Sequence, residues 1–284
     1  MPDSRPIQPK LRLKDRRRRL MWVKVASGTA VVAIAVVLAF YMAHLPALTI
    51  AEVDVSGTAL VPADAVKALA EAELQGSFAF VIPRDNALVA PTASIKKAIA
   101  DAYPAAAAVS VSRPNLKTLA IAITERTPAA LWCPGIPAGE ISAEDAATGT
   151  PAAANEDCYR MDGKGFIFAT ATPDMAFVKY FGDVSGGPVG STYLSGDFAS
   201  LDGTVAGIAS SLQQTPEEVL ADPSGTDVSV AFDSGGVLRF IRTTDRATIL
   251  ENVASVFASQ SFKDHQNFDY IDFRFGDKVY VKFK

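Results

Sequence analysis

The sequence has few of the residues that catalytic and metal sites use most. It contains two cysteines and two histidines in 284 residues. These counts exclude a disulfide-dense small domain and a structural zinc site of the usual Cys/His kinds. No H-E-x-x-H, G-x-S-x-G, P-loop or G-x-G-x-x-G segment occurs. We therefore expect no enzyme, no metal and no cofactor.

Basic charge is scarce after the first 24 residues. Residues 1–24 hold nine basic and two acidic side chains, whereas residues 25–284 hold 18 basic and 29 acidic ones. The larger part has a net charge of −11 and could not offset a phosphate backbone, which excludes a nucleic-acid-binding domain there. Hydrophobic residues make up 49% of the chain, so a packed core is expected, and the length predicts about two domains.

The one long apolar run lies near the N-terminus. Val25 to Ala43 are 19 consecutive uncharged residues, with Trp22 before them, and this length nearly matches a hydrocarbon core of about 30 Å. The basic residues precede the run, which predicts a cytoplasmic N-terminus and an outside location after about residue 46. A cleaved signal peptide is the alternative, but the run is long and Leu45-Pro46-Ala47 is a poor cleavage site. We interpret Arg16–Arg19 as a topology determinant, with contact to anionic lipid or a cytoplasmic partner as the alternative.

The first part outside the membrane alternates strands and helices. Alternation of apolar and polar residues predicts strands, and apolar residues three and four apart predict helices. The predicted order is strand 50–55, a helix after Pro62, strand 78–82, helix 92–102, and strands 109–112 and 118–124. This order predicts a small α+β unit with two helices on one face of a sheet.

The second part is rich in strands. Its predicted strands are 130–133, 158–161, 166–169, 177–181, 228–232, 237–241, 270–275 and 278–283. Two helices are predicted, one around 201–212 and one capped by Thr244 or Asp245. Residues 135–157 are rich in Ala, Gly, Pro and acidic residues, which predicts a flexible loop.

The two cysteines stand at the two ends of this loop. Cys133 and Cys158 each lie at the end of a predicted strand, and the two strands are expected to pair. An exported domain meets an oxidising compartment, so we predict a disulfide across the base of the loop. Two separate buried thiols are the alternative, and a catalytic thiol is disfavoured because no histidine is near in sequence.

Two sequence patterns are similar to catalytic motifs but lack the partner residues that catalysis needs. Residues 182–188, GDVSGGP, are close to a serine-peptidase signature, but Val184 breaks the spacing on which the oxyanion hole depends. The histidine that a triad needs would have to be His265, in a polar loop. We interpret the segment as a Gly/Ser turn. The carboxylate pairs Glu217-Glu218 and Asp269 with Asp272 are interpreted as a solvated face.

Five stretches in the same order resemble one family of cell-division proteins. Residues 50–57 are similar to an opening strand I-x-x-V-x-V-x-G, and residues 103–114 to a segment that ends in V-x-R-x-x-P. Residues 125–132 (ERTPAALW) resemble the junction E-R-x-P-x-A-x-W, the most specific of these motifs. Residues 159–165 resemble Y-x-[LVI]-D-x-x-G, and residues 270–275 the closing strand [IV]-D-L-R-[YF]. Together they resemble the FtsQ/DivIB family over nearly the whole chain.

This resemblance implies an α+β architecture in four parts. It implies a basic cytoplasmic tail at 1–21, a transmembrane helix at 22–45, and a POTRA-type β-α-β-α-β-β domain at 48–125. A β-rich domain with two helices then follows at 126–284, with a flexible loop at 134–157. The loop bounded by cysteines is not a general feature of the family.

The resemblance also implies a function in cell division. It implies a non-enzymatic divisome scaffold in the cell (inner) membrane at the septum, which recruits small single-span partners of the FtsB/FtsL type and regulates them. The partner would add a strand to the last strand of the chain. The implied partner-binding residues are Tyr270, Arg274, Phe275, Lys278, Val279, Tyr280, Val281, Lys282 and Phe283.

Other interpretations stay open at this point. Tyr280 is equally well an ordinary exposed strand tyrosine. A membrane-anchored POTRA module that chaperones or docks exported polypeptides is the alternative function, and an anchored peptidase is a third. A scaffold predicts septal enrichment and no effect of Ser185→Ala, whereas a chaperone predicts many clients.

Overall fold

The computed structural model has a mixed α+β fold and divides into two compact units. The first comprises residues 1–58, 62–99 and 109–123, and the second comprises 59–61, 100–108 and 124–284. The residues whose structure is described are 13–78, 82–137, 157–222, 226–264, 267–276 and 278–284.

A long apolar helix begins the described chain. Helix α1 runs over Leu13–Ala43, and its segment Arg17–Ala43 has a mean hydropathy of 2.2 over its most apolar window, none of which is buried. Its length and composition are compatible with a membrane anchor or a signal sequence. The single apolar helix predicted from the sequence is therefore present.

The first unit carries a three-stranded sheet and most of two helices. The elements that follow α1 are β1 (Glu52–Ser56), α2 (Ala63–Leu74), β2 (Ser77–Phe78), β3 (Ile82–Pro83), α3 (Thr92–Ala102), β4 (Ala106–Ser112) and β5 (Thr118–Glu125). The sheet order is β1-β5-β4, and β1 pairs in parallel with β5. Apolar residues four apart on the helices, such as Ile95 and Ile99, are fully buried, as their spacing predicts.

The single strand predicted from Phe78 to Ile82 is wrong. The structure has instead the two short strands β2 and β3, which pair antiparallel as Ser77↔Pro83 and Phe78↔Ile82. Residues 79–81 lie outside the described residues. A continuous apolar run carries no alternation that would distinguish one strand from two, so only the cross-strand pairing shows that two strands are present.

The second unit is built on a nine-stranded mixed sheet with the order β14-β13-β12-β11-β10-β9-β6-β7-β8. The strands are β6 (Ala130–Cys133), β7 (Tyr159–Met161), β8 (Ile167–Thr170), β9 (Lys179–Phe181), β10 (Pro216–Ala221), β11 (Asp227–Phe232), β12 (Val237–Ile241), β13 (Phe268–Phe275) and β14 (Lys278–Phe283).

Helices cover one face of this sheet. They are α4 (Phe198–Leu212), α5 (Arg246–Ala258) and α6 (Gln260–Asp264). The core between helices and sheet includes the buried Phe198, Ile249 and Phe262. The sequence predicted two helices here, and the five-residue α6 was missed. Asp245 caps α5 with a carboxylate that accepts the N–H groups of Ala247 and Thr248, so Asp245 rather than Thr244 is the cap.

The central strand β10 was also missed. It lies between β9 and β11, and its Val219 is fully buried. The predicted solvated face is wrong for Glu218, which is half-buried in this strand; the burial raises the pKa of Glu218, against the lowering effect of Lys179. An initial proline and two glutamates hide the alternation of β10 in the sequence.

The disulfide lies where β6 ends and β7 is about to begin. Cys133 and Cys158 are joined, with a Cα–Cα distance of 4.3 Å, and the adjacent residues Trp132 and Tyr159 are cross-strand partners. The predicted pairing of the two cysteines is therefore present. Most of the predicted flexible loop, residues 138–156, lies outside the described residues.

Candidate partner-binding edge

Strand β14 is the end strand of the nine-stranded sheet in the described part of the chain. Its exposure alternates, with Lys278, Tyr280 and Lys282 exposed and Val279 and Val281 half-buried. The valines pack against the core beneath the helices. The opposite side of the strand, which we call the open face, carries the tyrosine and the lysines. The two faces are those that the alternation of the sequence predicts.

The backbone of β14 points alternately toward β13 and away from it. The N–H of Lys284 donates to the carbonyl of Asn267 over 3.2 Å, so this residue directs its backbone groups toward β13. In an antiparallel strand the direction alternates, and the pairs Ile271↔Val281 and Asp272↔Tyr280 continue the ladder. The N–H groups of Val279 and Val281 therefore point outward, where an added strand would meet them.

Two exposed aromatic rings lie together at the hairpin end of this edge. Phe275 is 55% exposed and Tyr280 is 49% exposed, and their ring centroids are 5.0 Å apart at 82°. Edge-to-face pairs of this kind hold each other in place. An exposed aromatic pair is typical of the anchors that protein interfaces use.

A second group lies farther along the open face of the same hairpin. Lys282 pairs with Tyr270 across the strands, and the Lys282 Nζ lies 6.0 Å from the centre of the Tyr270 ring. The same Nζ is 2.6 Å from a carboxylate oxygen of Asp269. This hydrogen bond lowers the pKa of Asp269 from its ordinary value. Arg239 stands over the Tyr270 ring at 5.5 Å.

Arg274 is held by two carboxylates. Its Nε and Nη2 donate to Asp272 over 3.0 and 2.7 Å, and its Nη1 donates to Asp227 over 2.7 Å. Burial acts to raise the pKa of Asp272, but the hydrogen bonds from Arg274 outweigh it and the pKa lies below its ordinary value. The hydrogen bonds that Arg274 donates to Asp272 raise the pKa of Arg274. The arginine thus joins the terminal hairpin to β11.

The structure brings the nine sequence-predicted residues together on the β13–β14 hairpin. The open face displays Phe275, Lys278, Tyr280, Lys282 and Tyr270, whereas Val279, Val281 and Phe283 pack on the helix side. The guanidinium of Arg274 is occupied by its two carboxylates, so within this structure it positions the hairpin.

Sequence analysis missed the carboxylates that hold Arg274. The interpretation of Asp272 as part of a solvated face is wrong, because this side chain is only 4% exposed. The available signal was Asp272 two residues before Arg274 in one strand, which puts both on the same side. Asp227 had no such signal, since it lies in a different strand, 47 residues before Arg274.

The side chains of the most specific motif, residues 125–132, make structural contacts within the second unit. Glu125 accepts the backbone N–H groups of residues 59–61 over 2.7–2.8 Å. Arg126 pairs with Asp162 at 2.6 Å and lies 4.2 Å from the centre of the Phe166 ring. The Trp132 indole donates to the carbonyl of Gly182 over 3.0 Å. Glu125, Arg126 and Trp132 therefore satisfy backbone groups or a buried charge.

Other chemistry is sparse in the described residues. Among them no group of three or more His, Cys, Asp or Glu side chains is arranged to hold a metal ion. The segment 182–188 forms bends, and the hydroxyl of Ser191 donates to the carbonyl of Ser185 over 3.0 Å. The predicted polar loop that contains His265 falls in part outside the described residues.

Comparison of the chain with models of known protein families finds no match. A search of curated proteins finds no relative either.

Proposed function

We propose that this chain is a single-pass membrane scaffold of cell division, of the FtsQ/DivIB type, without enzymatic activity. The observation that carries the proposal is the edge strand β14, with outward N–H groups at Val279 and Val281 beside an exposed aromatic pair. An edge of this kind binds a partner by adding its strand to the sheet. Lysines along the same strand disfavour indiscriminate pairing.

The order of elements supports a POTRA-type domain at residues 48–125. Two helices separate the first strand β1 from the hairpin-like pair β4 and β5, and β1 pairs in parallel with β5 in the middle of the sheet. A parallel neighbour requires a crossover connection, which α2, α3 and β4 provide. The five ordered sequence motifs give the same assignment independently.

The charge distribution supports the membrane topology. Arg16–Arg19 and Lys24 lie before the apolar run, and no basic residue follows it before Lys67. By the positive-inside rule the N-terminus is cytoplasmic and the residues after about position 46 lie outside the cytoplasm. We place the protein in the cell (inner) membrane, enriched at the division septum.

The proposed partners are small single-span division proteins of the FtsB/FtsL type. One of them would supply a short extended segment that pairs with residues 278–284. The backbone of the edge would supply affinity, and the Phe275–Tyr280 pair with Lys282 and Tyr270 would select the side chains of the added strand.

Photo-crosslinking in living cells tests this proposal. A benzophenone amino acid replaces Tyr280, and captured proteins are identified by mass spectrometry. The matched control carries the same residue at Thr170, an exposed position at the end of β8. Capture of one small single-span coiled-coil protein from position 280, and not from 170, is the expected result. Capture of a second copy of this chain, or no specific adduct, would contradict it.

A further inference from the structure

A short loop with exposed apolar residues lies directly beside the end of α1. Leu88 is 64% exposed and Val89 is 39% exposed, although neither belongs to a helix or strand. The loop belongs to the first unit and follows β3. Single exposed apolar residues are ordinary, so what matters is the place where this pair is held.

Asn86 holds the loop at the end of the helix. Its buried side-chain amide donates to the carbonyl of Ala43, the last residue of α1, over 2.8 Å. Its side-chain oxygen accepts the N–H of Leu88 over 2.9 Å. The backbone adds an isolated bridge between Thr49 and Asn86, and Ala87 N–H donates to Leu48 over 2.7 Å. The apolar tip is thus fixed close to the helix end.

The turn between β4 and β5 reaches the same region. The ammonium group of Lys117 donates to the carbonyl of Pro46, and the guanidinium of Arg113 donates to the carbonyl of Ala87. Leu116, next to this lysine, is 47% exposed. Two loops therefore flank the exit of α1, each combining an exposed apolar side chain with a nearby cation.

The length of α1 determines where these two loops lie relative to the bilayer. The apolar run ends at Ala43, and 19 helical residues span about 28 Å, close to the thickness of the hydrocarbon core. The carbonyl of Ala43 would therefore lie where the acyl chains meet the headgroups. Apolar side chains beside cations are what that boundary accommodates, since the cations face anionic headgroups.

We propose that residues 86–89 and 113–117 form a lipid-contact surface that rests on the bilayer around α1. Leu88, Val89 and Leu116 enter the interface, and Arg113 and Lys117 lie at the headgroups. The inference rests on the proposed membrane anchor. It goes beyond that anchor because it gives two loops that follow α1 in the chain their own contact with the lipid.

Lipid photo-crosslinking tests the surface with the unmodified full chain. The protein is placed in nanodiscs of phosphatidylcholine and phosphatidylglycerol that contain a phospholipid with a diazirine near its glycerol. After irradiation, lipid adducts are mapped by mass spectrometry. The expected result is adducts on α1, on Leu88 or Val89, and on Leu116, with none on the exposed residues 64, 67 and 68 of α2.

The outcomes separate this inference from the anchor. Adducts on α1 without adducts at the two loops would overturn the lipid-contact surface and leave the anchor intact. Adducts of equal yield on α2 would overturn it as well, because the contact would not be specific. No adducts on α1 would contradict the anchor and the inference together.

A variant pair sharpens the test. Leu88→Asp puts a charge at the exposed tip and is expected to remove most adducts from residues 88 and 89, while adducts on α1 stay unchanged. Ala68→Asp, an equal change of charge on the exposed surface of α2, is expected to leave all adducts as they were. Unchanged adducts in Leu88→Asp would contradict the proposed contact.

Discussion

The two end strands of the nine-stranded sheet differ in what borders them. On the outer side of β8, Ile167 exchanges hydrogen bonds with Gly190 and Ser191 over 2.8 and 2.9 Å. On the outer side of β14, the sheet order ends within the described residues. One end of the sheet is therefore bordered by the chain itself, and the other presents backbone groups to a partner.

The means of stabilising the two ends differ in the same way. Near β8, the Cys133–Cys158 disulfide and an apolar cluster with Phe181 cover the side of the sheet opposite the helices. Near β14, the open face carries lysines and exposed aromatic rings, and Arg274 joins strands through Asp272 and Asp227. A hydrogen-bonded ion network fixes the hairpin without covering its edge, whereas an apolar cover would exclude a partner.

The largest expected effect concerns the open edge. Val281→Pro removes an outward N–H and leaves the inward ladder of β14 in place. We expect capture of the partner from position 280 to fall at least about tenfold, since a lost main-chain hydrogen bond is combined with a steric block. The measurement is the crosslinking yield in cells.

Val281→Ala is the matched control for this prediction, because it trims the side chain but keeps the N–H. Its crosslinking yield should stay near that of the wild type. Normal capture by Val281→Pro would show that β14 is not the docking strand.

The next largest effect concerns the β8 end of the sheet, which the chain itself borders. Replacing Cys133 and Cys158 by serine opens a link with a sequence separation of 25, which should lower the free energy of unfolding by about 3–4 kcal/mol in the loop-entropy model. Chemical denaturation with and without a reducing agent measures it. A reducing agent should lower the unfolding free energy of the wild type and leave that of the double variant unchanged. Equal unfolding free energies of the two proteins without a reducing agent would count against the disulfide as the main restraint at this end.

A smaller effect is expected at the ion network. Asp272→Asn leaves Arg274 with one carboxylate and should cost about 2–3 kcal/mol, because a partly buried charge loses its main partner. The wild-type pKa of Asp272 is lowered, so its stabilising contribution is present above the unfolded pKa and is lost as the pH falls through the folded one.

Urea denaturation between pH 7 and pH 2 measures this dependence. The unfolding free energy of the wild type should fall more steeply in acid than that of Asp272→Asn. Parallel curves for the two proteins would argue against a native-state ion pair.

The smallest effects are expected at Ser185 and Ser191, in and just before the segment that borders β8. Ser185→Ala should change neither stability nor division, because its carbonyl, not its hydroxyl, accepts the hydrogen bond from Ser191. Ser191→Ala should cost about 1 kcal/mol, the value of one lost hydrogen bond. Thermal denaturation compares the two variants, and loss of division in Ser185→Ala alone would revive a nucleophilic role.

Local signals predicted much of this chain. The uncharged run marked α1, alternation marked β1, β5 and β14, and spacing marked the buried faces of the helices. Each of these features depends on a period of 2 or 3.6 residues, which neighbours in sequence determine. The two cysteines at strand ends were sufficient to predict their pairing.

Tertiary structure decided the rest. That β14 ends the sheet, that β10 lies in its middle despite two glutamates, and that Asp227 reaches Arg274 all depend on strand order, which brings distant segments together. The same holds for Asn86 at the end of α1, 43 residues away in sequence. A local pattern shows which face of an element is apolar; only packing determines what that face, or that edge, meets.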